Sequence, residues 1–387
     1  MSRHDFSQQE FDTRRARLRA AMRERSLQWL VLFHPVSIHW LTGSDAKSYQ
    51  EFQCLLFPAE PGPLTMLTRA GERYEFEMDA LVDDVVCFGG GENQDPIPVF
   101  EQLADRLGLR RALVGIEVPA YYLHPHHYTR IRDFLGKALA QETTHLVHDL
   151  KLVKSVAERD YIASAARKAD HAMAAFAAAL QVGRSELAVA GDVMASLLSQ
   201  DSGIAASPIN LVSGERSCFS HGAPTERRLR AGDFGSVEFG ATHRRYTATI
   251  GRQFSIGKPT RRMRELYEVV RRASDVCIAC IRDGVPASEP HAAARDVIAQ
   301  AGLEDFRIHT TGYGLAPGFP PSWGEPIHML ADSPYTLRAG MVITVEPPVF
   351  CGPDKLGARL IDNVLVTADG AQRLSTFSRD LIVLETA

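Results

Sequence analysis

The sequence predicts an α+β protein in which a smaller α/β domain, residues 1–152, precedes a larger domain, residues 153–387, built on a curved and largely antiparallel sheet. Three observations predict it. The 387 residues exceed what one hydrophobic core usually serves, since single cores stop growing near ~250–300 residues. The first 150 residues interleave short apolar runs with helical stretches. Beyond residue 150 that alternation gives way to long helices and paired strands joined by loops, the pattern of an α+β sheet rather than a doubly wound one.

Ser7 and Glu10 have capping-box spacing, and Phe11, Arg15, Leu18 and Met22 follow one face of the helix they open. Apolar runs at 29–33, 54–57, 64–67, 84–88 and 112–116 read as strands, with helices near 96–107 and 126–139. "HPHH" at 124–127 reads as a polar helix start without a second ligand cluster. In the second domain the spacing predicts helices over roughly 156–180, 260–282 and 289–301. Strand pairs fall around "RLRAGDFGSVEFGA", "RYTATIGRQFSI", "MVITVEPPVF" and "ARLIDNVLVT". Cys277 and Cys280 form a C-x-x-C inside an apolar helical repeat, which favours a buried helix face over a redox or metal site.

Composition excludes several functions. With 43 basic and 47 acidic side chains the net charge is −4, and no electrostatic footprint for nucleic acid is present. No stretch approaches the ~20 apolar residues that span a bilayer, and the N-terminus lacks the apolar core of a secretion signal. Six dispersed cysteines read as reduced thiols. A cytoplasmic location and a small-molecule substrate are expected.

Charged residues in apolar strands mark the candidate site. Glu238 lies between Val237 and Phe239, and Glu346 sits in "ITVEPPVF". Buried carboxylates are costly unless paired, protonated or metal-bound, so two of them on inner strands suggest a pocket. His221 in "CFSHGAPTER" and Tyr313 in "HTTGYGLAPGFPPSWGEP" fall at neighbouring turns.

The ordered motifs "SHGAPTERRLRAGD", "VEFGATHRRYTATIGRQF", "TGYGLA", "VITVEPPV" and "ARLIDNVLVT" resemble the pita-bread fold family of creatinase, prolidase, Xaa-Pro aminopeptidase and methionine aminopeptidase. "WLTGS" and the region before it resemble the creatinase-type N-terminal domain. In the peptidase members the motifs hold two metal ions with five side chains. Here those positions fall on Glu238, Thr249, Tyr313, Glu346 and Ile361. Two carboxylates leave at most one weakly held Mg²⁺ or Mn²⁺, so the resemblance is carried to the metal-free creatinase and ectoine hydrolase-like members, with no cofactor.

On that reading the expected function is metal-independent hydrolysis of a non-peptide C–N bond in a small nitrogenous metabolite. His221, Glu238 and Glu346 would be catalytic. Tyr313, Arg252, Trp323, Glu325 and His309 would hold the substrate, Glu325 as counter-charge to a cation. Glu238 and Glu346 would share a proton. A metal-dependent Xaa-Pro aminopeptidase or prolidase is the alternative, and a catalytically silent peptidase-like binding protein is the third reading. The resemblance also implies a homodimer in which the N-terminal domain closes the partner's site.

Overall fold

A computed structural model describes residues 4–91 and 95–385. The chain divides into two compact units, Met1–Lys151 and Leu152–Ala387.

In the first unit the strands are β1 (Trp29–Leu32), β2 (Cys54–Pro58), β3 (Thr65–Arg69), β4 (Asp84–Phe88), β5 (Val114–Ile116) and β6 (Leu139–Glu142), and the helices are α1 (Gln8–Glu24), α2 (Pro35–Thr42), α3 (Arg73–Asp79), α4 (Ile97–Arg106), α5 (Pro125–Leu135) and α6 (Leu146–Leu150). The strands form one mixed sheet in the order β4-β3-β2-β1-β5-β6. Both faces are covered: Leu30, Leu32, Leu55 and Phe57 pack with α1, while Val31, Leu56, Leu67 and Ile116 pack with Phe100 and Ile131 of α4 and α5. The Ser7 hydroxyl accepts from the Glu10 amide and starts α1, and His124 caps α5 at the "HPHH" segment.

Glu117 lies just beyond β5 and is completely buried. Its carboxylate accepts from the amides of Phe33 (2.9 Å) and His34 (2.7 Å) and from the Ser37 hydroxyl (2.5 Å), so it closes the N-terminus of α2. Burial still pushes its carboxyl up to about 7, because the three donors only partly offset the lost hydration.

The second unit contains the helices α7 (Val156–Ala179), α8 (Glu186–Ser199), α9 (Arg261–Cys280) and α10 (Ser288–Gln300). Its strands are β7 (Asn210–Ser213), β8 (Phe234–His243), β9 (Tyr246–Ile256), β10 (Tyr313–Phe319), β11 (Ser322–His328), β12 (Val342–Val345), β13 (Val349–Cys351), β14 (Leu356–Ala358), β15 (Asp362–Val366), β16 (Ala371–Arg373) and β17 (Ile382–Leu384). Nine of them make one sheet, with β16-β15-β12-β10-β9-β8-β7 in line, β11 on β10, and β17 parallel to β9. The long hairpin β8–β9 is its spine, paired without interruption from Phe234–Ser255 to His243–Tyr246.

One face of this sheet carries the helices. Val237, Phe239, Ile250 and Phe254 pack on Met173 and Phe176 of α7 and Val189 and Val193 of α8. Ile343, Val345, Leu360 and Val364 pack on Leu266, Val270 and Cys277 of α9 and Ile298 of α10. Each such side chain contributes about 1.5–3 kcal/mol by leaving water. Cys277 is thus core, as its helical spacing predicts, and no disulfide forms among the described cysteines. Among the described residues no helix is long and apolar enough to cross a membrane.

Candidate active site

The period of two along a strand decides what the opposite face presents. Since Val237 and Phe239 point to the helices, Glu238 points away from them; since Val345 points to α9, Glu346 points away as well. On β9 the residues sharing that open face are Thr249 and Gly251, because Ile250 faces the helices. Leu360 and Val364 are core, so Arg359, Ile361 and Asn363 return to the open face. The five positions singled out by motif order therefore converge on one side of one sheet.

Their contacts are specific. Arg359 donates to Glu238 Oε2 and to the Ser220 carbonyl, and Asn210 Nδ2 donates to the same carboxylate oxygen at 3.0 Å. Thr249 and Asn363 bond each other twice: Asn363 Nδ2 donates to Thr249 Oγ1 at 2.8 Å, and the Thr249 amide donates to Asn363 Oδ1 at 2.6 Å. Ile361 lies over Gly251, where an added Cβ would come within 2.7 Å of its side chain. That close approach is what glycine permits here.

Glu346 differs from all of these. It is 3% exposed, and its Oε1 is buried without a hydrogen-bond partner. Burial, and after it the neighbouring Glu238, push its carboxyl well above the usual range, against the opposing pull of Arg359. His309 Nδ1 stands 3.7 Å from that Oε1 and 3.3 Å from the Thr310 carbonyl, which can only accept; the ring proton therefore belongs on Nδ1, leaving Nε2 with its lone pair. Burial lowers the His309 pKa and keeps the ring neutral near neutral pH.

His221 lies beside His309, ring centroids 5.3 Å apart, on an exposed part of its loop. That loop is fastened at both ends by Glu186, the first residue of α8. Its carboxylate accepts from the Ser213 hydroxyl at 2.6 Å, from the Thr225 amide and hydroxyl at 3.0 and 2.8 Å, and from Arg216. The Tyr313 hydroxyl accepts from Trp323 Nε1 at 3.0 Å. Its phenol is raised by burial and then by Glu346 and Glu238.

Two expected substrate contacts take other roles. Arg252 is fully buried on the helix side of β9. It donates to Asp362 at 2.9 Å and to the carbonyls of Gly251, Ile361 and Ser378, each at 2.8 Å, which makes it a cross-link between strands. Glu325 is ion-paired with Lys154, both side chains buried, so its charge is already answered. Trp323 is buried, and its placement follows from the bond to Tyr313. Sequence reasoning did not single out Arg359, Asn210, Asn363 or Glu186. Alternation through 359, 361 and 363 was the available signal for the first and third.

The comparisons with known proteins place this geometry. The model for metallopeptidase family M24 matches residues 160–368, and that for the creatinase/prolidase N-terminal domain matches residues 14–153. A probable dipeptidase PepE of Mycobacterium tuberculosis is 28% identical over 391 residues, spanning 99% of both chains. A Xaa-Pro dipeptidase of Pyrococcus furiosus is 30% identical over 262 residues, covering 66% of this chain and 73% of that one. The crystal structure of dipeptidase PepE from Mycobacterium ulcerans superposes with a TM-score of 0.86 at 29% identity, covering 98% and 100% of the two chains.

These findings correct two expectations. Hydrolysis of a non-peptide C–N bond gives way to peptidase chemistry, because the relatives bear dipeptidase names. The assignment to metal-free members with no cofactor also falls, because the matching family is one of metallopeptidases. The side chains present nevertheless do not fit a paired-ion set. Ile361 offers no donor, Thr249 is tied to Asn363, Glu238 is held by Arg359, and among the described residues no group of three His, Cys, Asp or Glu converges as metal ligands. By the matched models and by the fold that carries this site, the chain belongs to metallopeptidase family M24.

Proposed function

We propose that the protein hydrolyses the peptide bond of short peptides of the dipeptide class, Xaa-Pro dipeptides included, at the open face of the second unit's sheet. The observation that carries this reading is the buried Glu346 with an unbonded oxygen, set beside a neutral imidazole. Amide hydrolysis needs a base for water, an acid for the leaving nitrogen and a donor for the developing oxyanion. His309, through its unprotonated Nε2, takes the proton from water and returns it to the leaving nitrogen, with the exposed His221 ring beside it. Tyr313, whose oxygen already accepts from Trp323, turns its own O–H toward the substrate carbonyl. Glu346 orients the substrate, and Arg359 holds Glu238 in place beside it.

The experiment is amino-acid release from a panel of dipeptides, with and without proline in second position, by protein as purified and after supplementation with Mn²⁺, Co²⁺ or Zn²⁺. Cleavage of at least one member is expected. Failure on the whole panel under every condition would reject the reading.

A further inference from the structure

At one place in the first unit the chain leaves two neighbouring strands toward opposite faces of the sheet. Strands β3 and β4 run parallel, with Arg69 in register with Phe88 at their carboxyl ends. From β3 the chain passes to α3, whose Phe76 packs on the α1 face; from β4 it passes to α4, whose Ile97 and Phe100 pack on the other face. Divergence of this kind opens a crevice beyond the strand ends, the position at which open α/β sheets hold their ligands. Such a crevice is present here, with a volume of about 1110 Å³, large enough for a whole metabolite. It lies within the first unit and shares no residue with the site of the second.

Two arginines line it, Arg69 at the end of β3 and Arg130 on α5. Each guanidinium is anchored on one side: Arg69 Nη2 donates to Glu72 and to the Ser48 hydroxyl, both at 3.0 Å, and Arg130 Nη1 donates to Asp95. A guanidinium has five N–H donors, so each keeps several for a ligand while its partner holds it in place. Asp95 is already engaged through its other oxygen, which accepts from the Ile97 amide at 3.0 Å, and Glu51, also in the lining, is exposed to water. After β4 come Gly89, Gly90 and Gly91, and nothing lies within 4 Å of where a Cβ would sit on the last two. Their amides donate to nothing among the described residues. Phe52 and Phe88, ring centroids 6.1 Å apart, add an aromatic wall, with the His127 ring 5.2 Å from Phe52. Planar guanidinium forks and bare amides match a phosphate, and aromatic rings match the organic body that carries it. We propose that this crevice binds a small organic phosphate, its phosphate group held by Arg69 and Arg130 and its body lying against Phe52 and Phe88.

The test uses the full chain and three probes: AMP, ribose 5-phosphate and inorganic phosphate. Each is titrated calorimetrically into wild-type protein, Arg69→Gln, Arg69→Lys and Arg130→Gln, all checked for an unchanged melting transition. At least one organic phosphate should bind the wild type about 10-fold more tightly than inorganic phosphate does, because only the organic body reaches the aromatic wall. Each Gln substitution should weaken that binding about 10-fold by removing charge-assisted hydrogen bonds. Arg69→Lys, which keeps the charge but not the fork, should recover part of the loss. Gly90→Asp supplies a variant that leaves both arginines in place: it sets a carboxylate in the open space over the loop and should also cost about 10-fold or more. No binding by any of the three probes would overturn the assignment. So would inorganic phosphate binding as tightly as both organic probes, or organic-phosphate binding that survives unchanged in Arg69→Gln and Arg130→Gln or in Gly90→Asp.

Discussion

Glu117 in the first unit and Glu346 in the second are both carboxylates withdrawn from water, and both are pushed up by burial. They differ in their partners. Glu117 accepts from two amides and a hydroxyl, and those donors belong to one helix start. Glu346 has a second carboxylate for a neighbour and an unbonded oxygen. A buried charge whose hydrogen bonds close locally holds the fold together. One left open, on a sheet face lined by polar side chains, is held ready for something that arrives later. Stability should therefore answer to the first residue and turnover to the second.

The largest effect on stability should come from Arg359. Arg359→Met leaves Glu238 buried without its counter-charge and should destabilise the second unit by about 3–5 kcal/mol, read as a lowered melting transition. Unchanged melting would mean that the pair adds nothing to the fold, and Glu238 would then resemble Glu346 rather than Glu117.

Glu117→Ala should cost about 1–3 kcal/mol by orphaning the Phe33 and His34 amides, while Glu117→Gln keeps an acceptor for them and recovers most of the loss. The pH dependence follows from the raised pKa. With a folded value of about 7 against an ordinary 4.5, the folded state holds the proton more tightly, so this contribution is complete below pH 4.5 and lost as pH rises through 7. The span amounts to on the order of 3 kcal/mol. Urea titrations at pH 4.5 and 7.5 should show that decline in the wild type and a flatter profile in Glu117→Gln. Equal slopes would remove Glu117 from the account.

Trp323→Phe sharpens the comparison at small scale. It deletes one N–H donor to Tyr313 and should cost about 1 kcal/mol, expressed as a several-fold fall in kcat with little change in melting. A fall in melting of several degrees without a kinetic effect would make the Trp323–Tyr313 bond structural.

Much of the architecture was legible because periodicity is a local signal. The strands at 29–32, 54–58 and 84–88 and the long helices α7 and α9 follow from apolar spacing alone. Glu238 and Glu346 stood out because charge between β-branched or aromatic neighbours is expensive wherever it is buried. Other features were hidden by distance along the chain. Nothing near residue 325 announces Lys154, 171 residues away, whose ammonium answers the Glu325 charge. Arg252 was a different kind of miss. Its neighbour Gly251 faces the site, so alternation sends Arg252 to the helix side, where Asp362 meets it. The same rule would have flagged Arg359 and Asn363 together with Ile361. The chemistry was misjudged because two surviving carboxylates suggested a departure from the peptidases, whereas the relatives across the whole chain are named dipeptidases.

The contrast between the two carboxylates is tested most directly by paired variants, Glu346→Gln and Glu117→Gln, each measured for dipeptide turnover and for melting temperature in the same buffer. Glu346→Gln should lose about 100-fold in kcat/KM and melt at or above the wild-type temperature, since it removes an unpaired buried carboxyl, while Glu117→Gln should retain wild-type turnover. A Glu346→Gln protein that turns over normally, or a Glu117→Gln protein that folds normally and has lost activity, would contradict the division of roles.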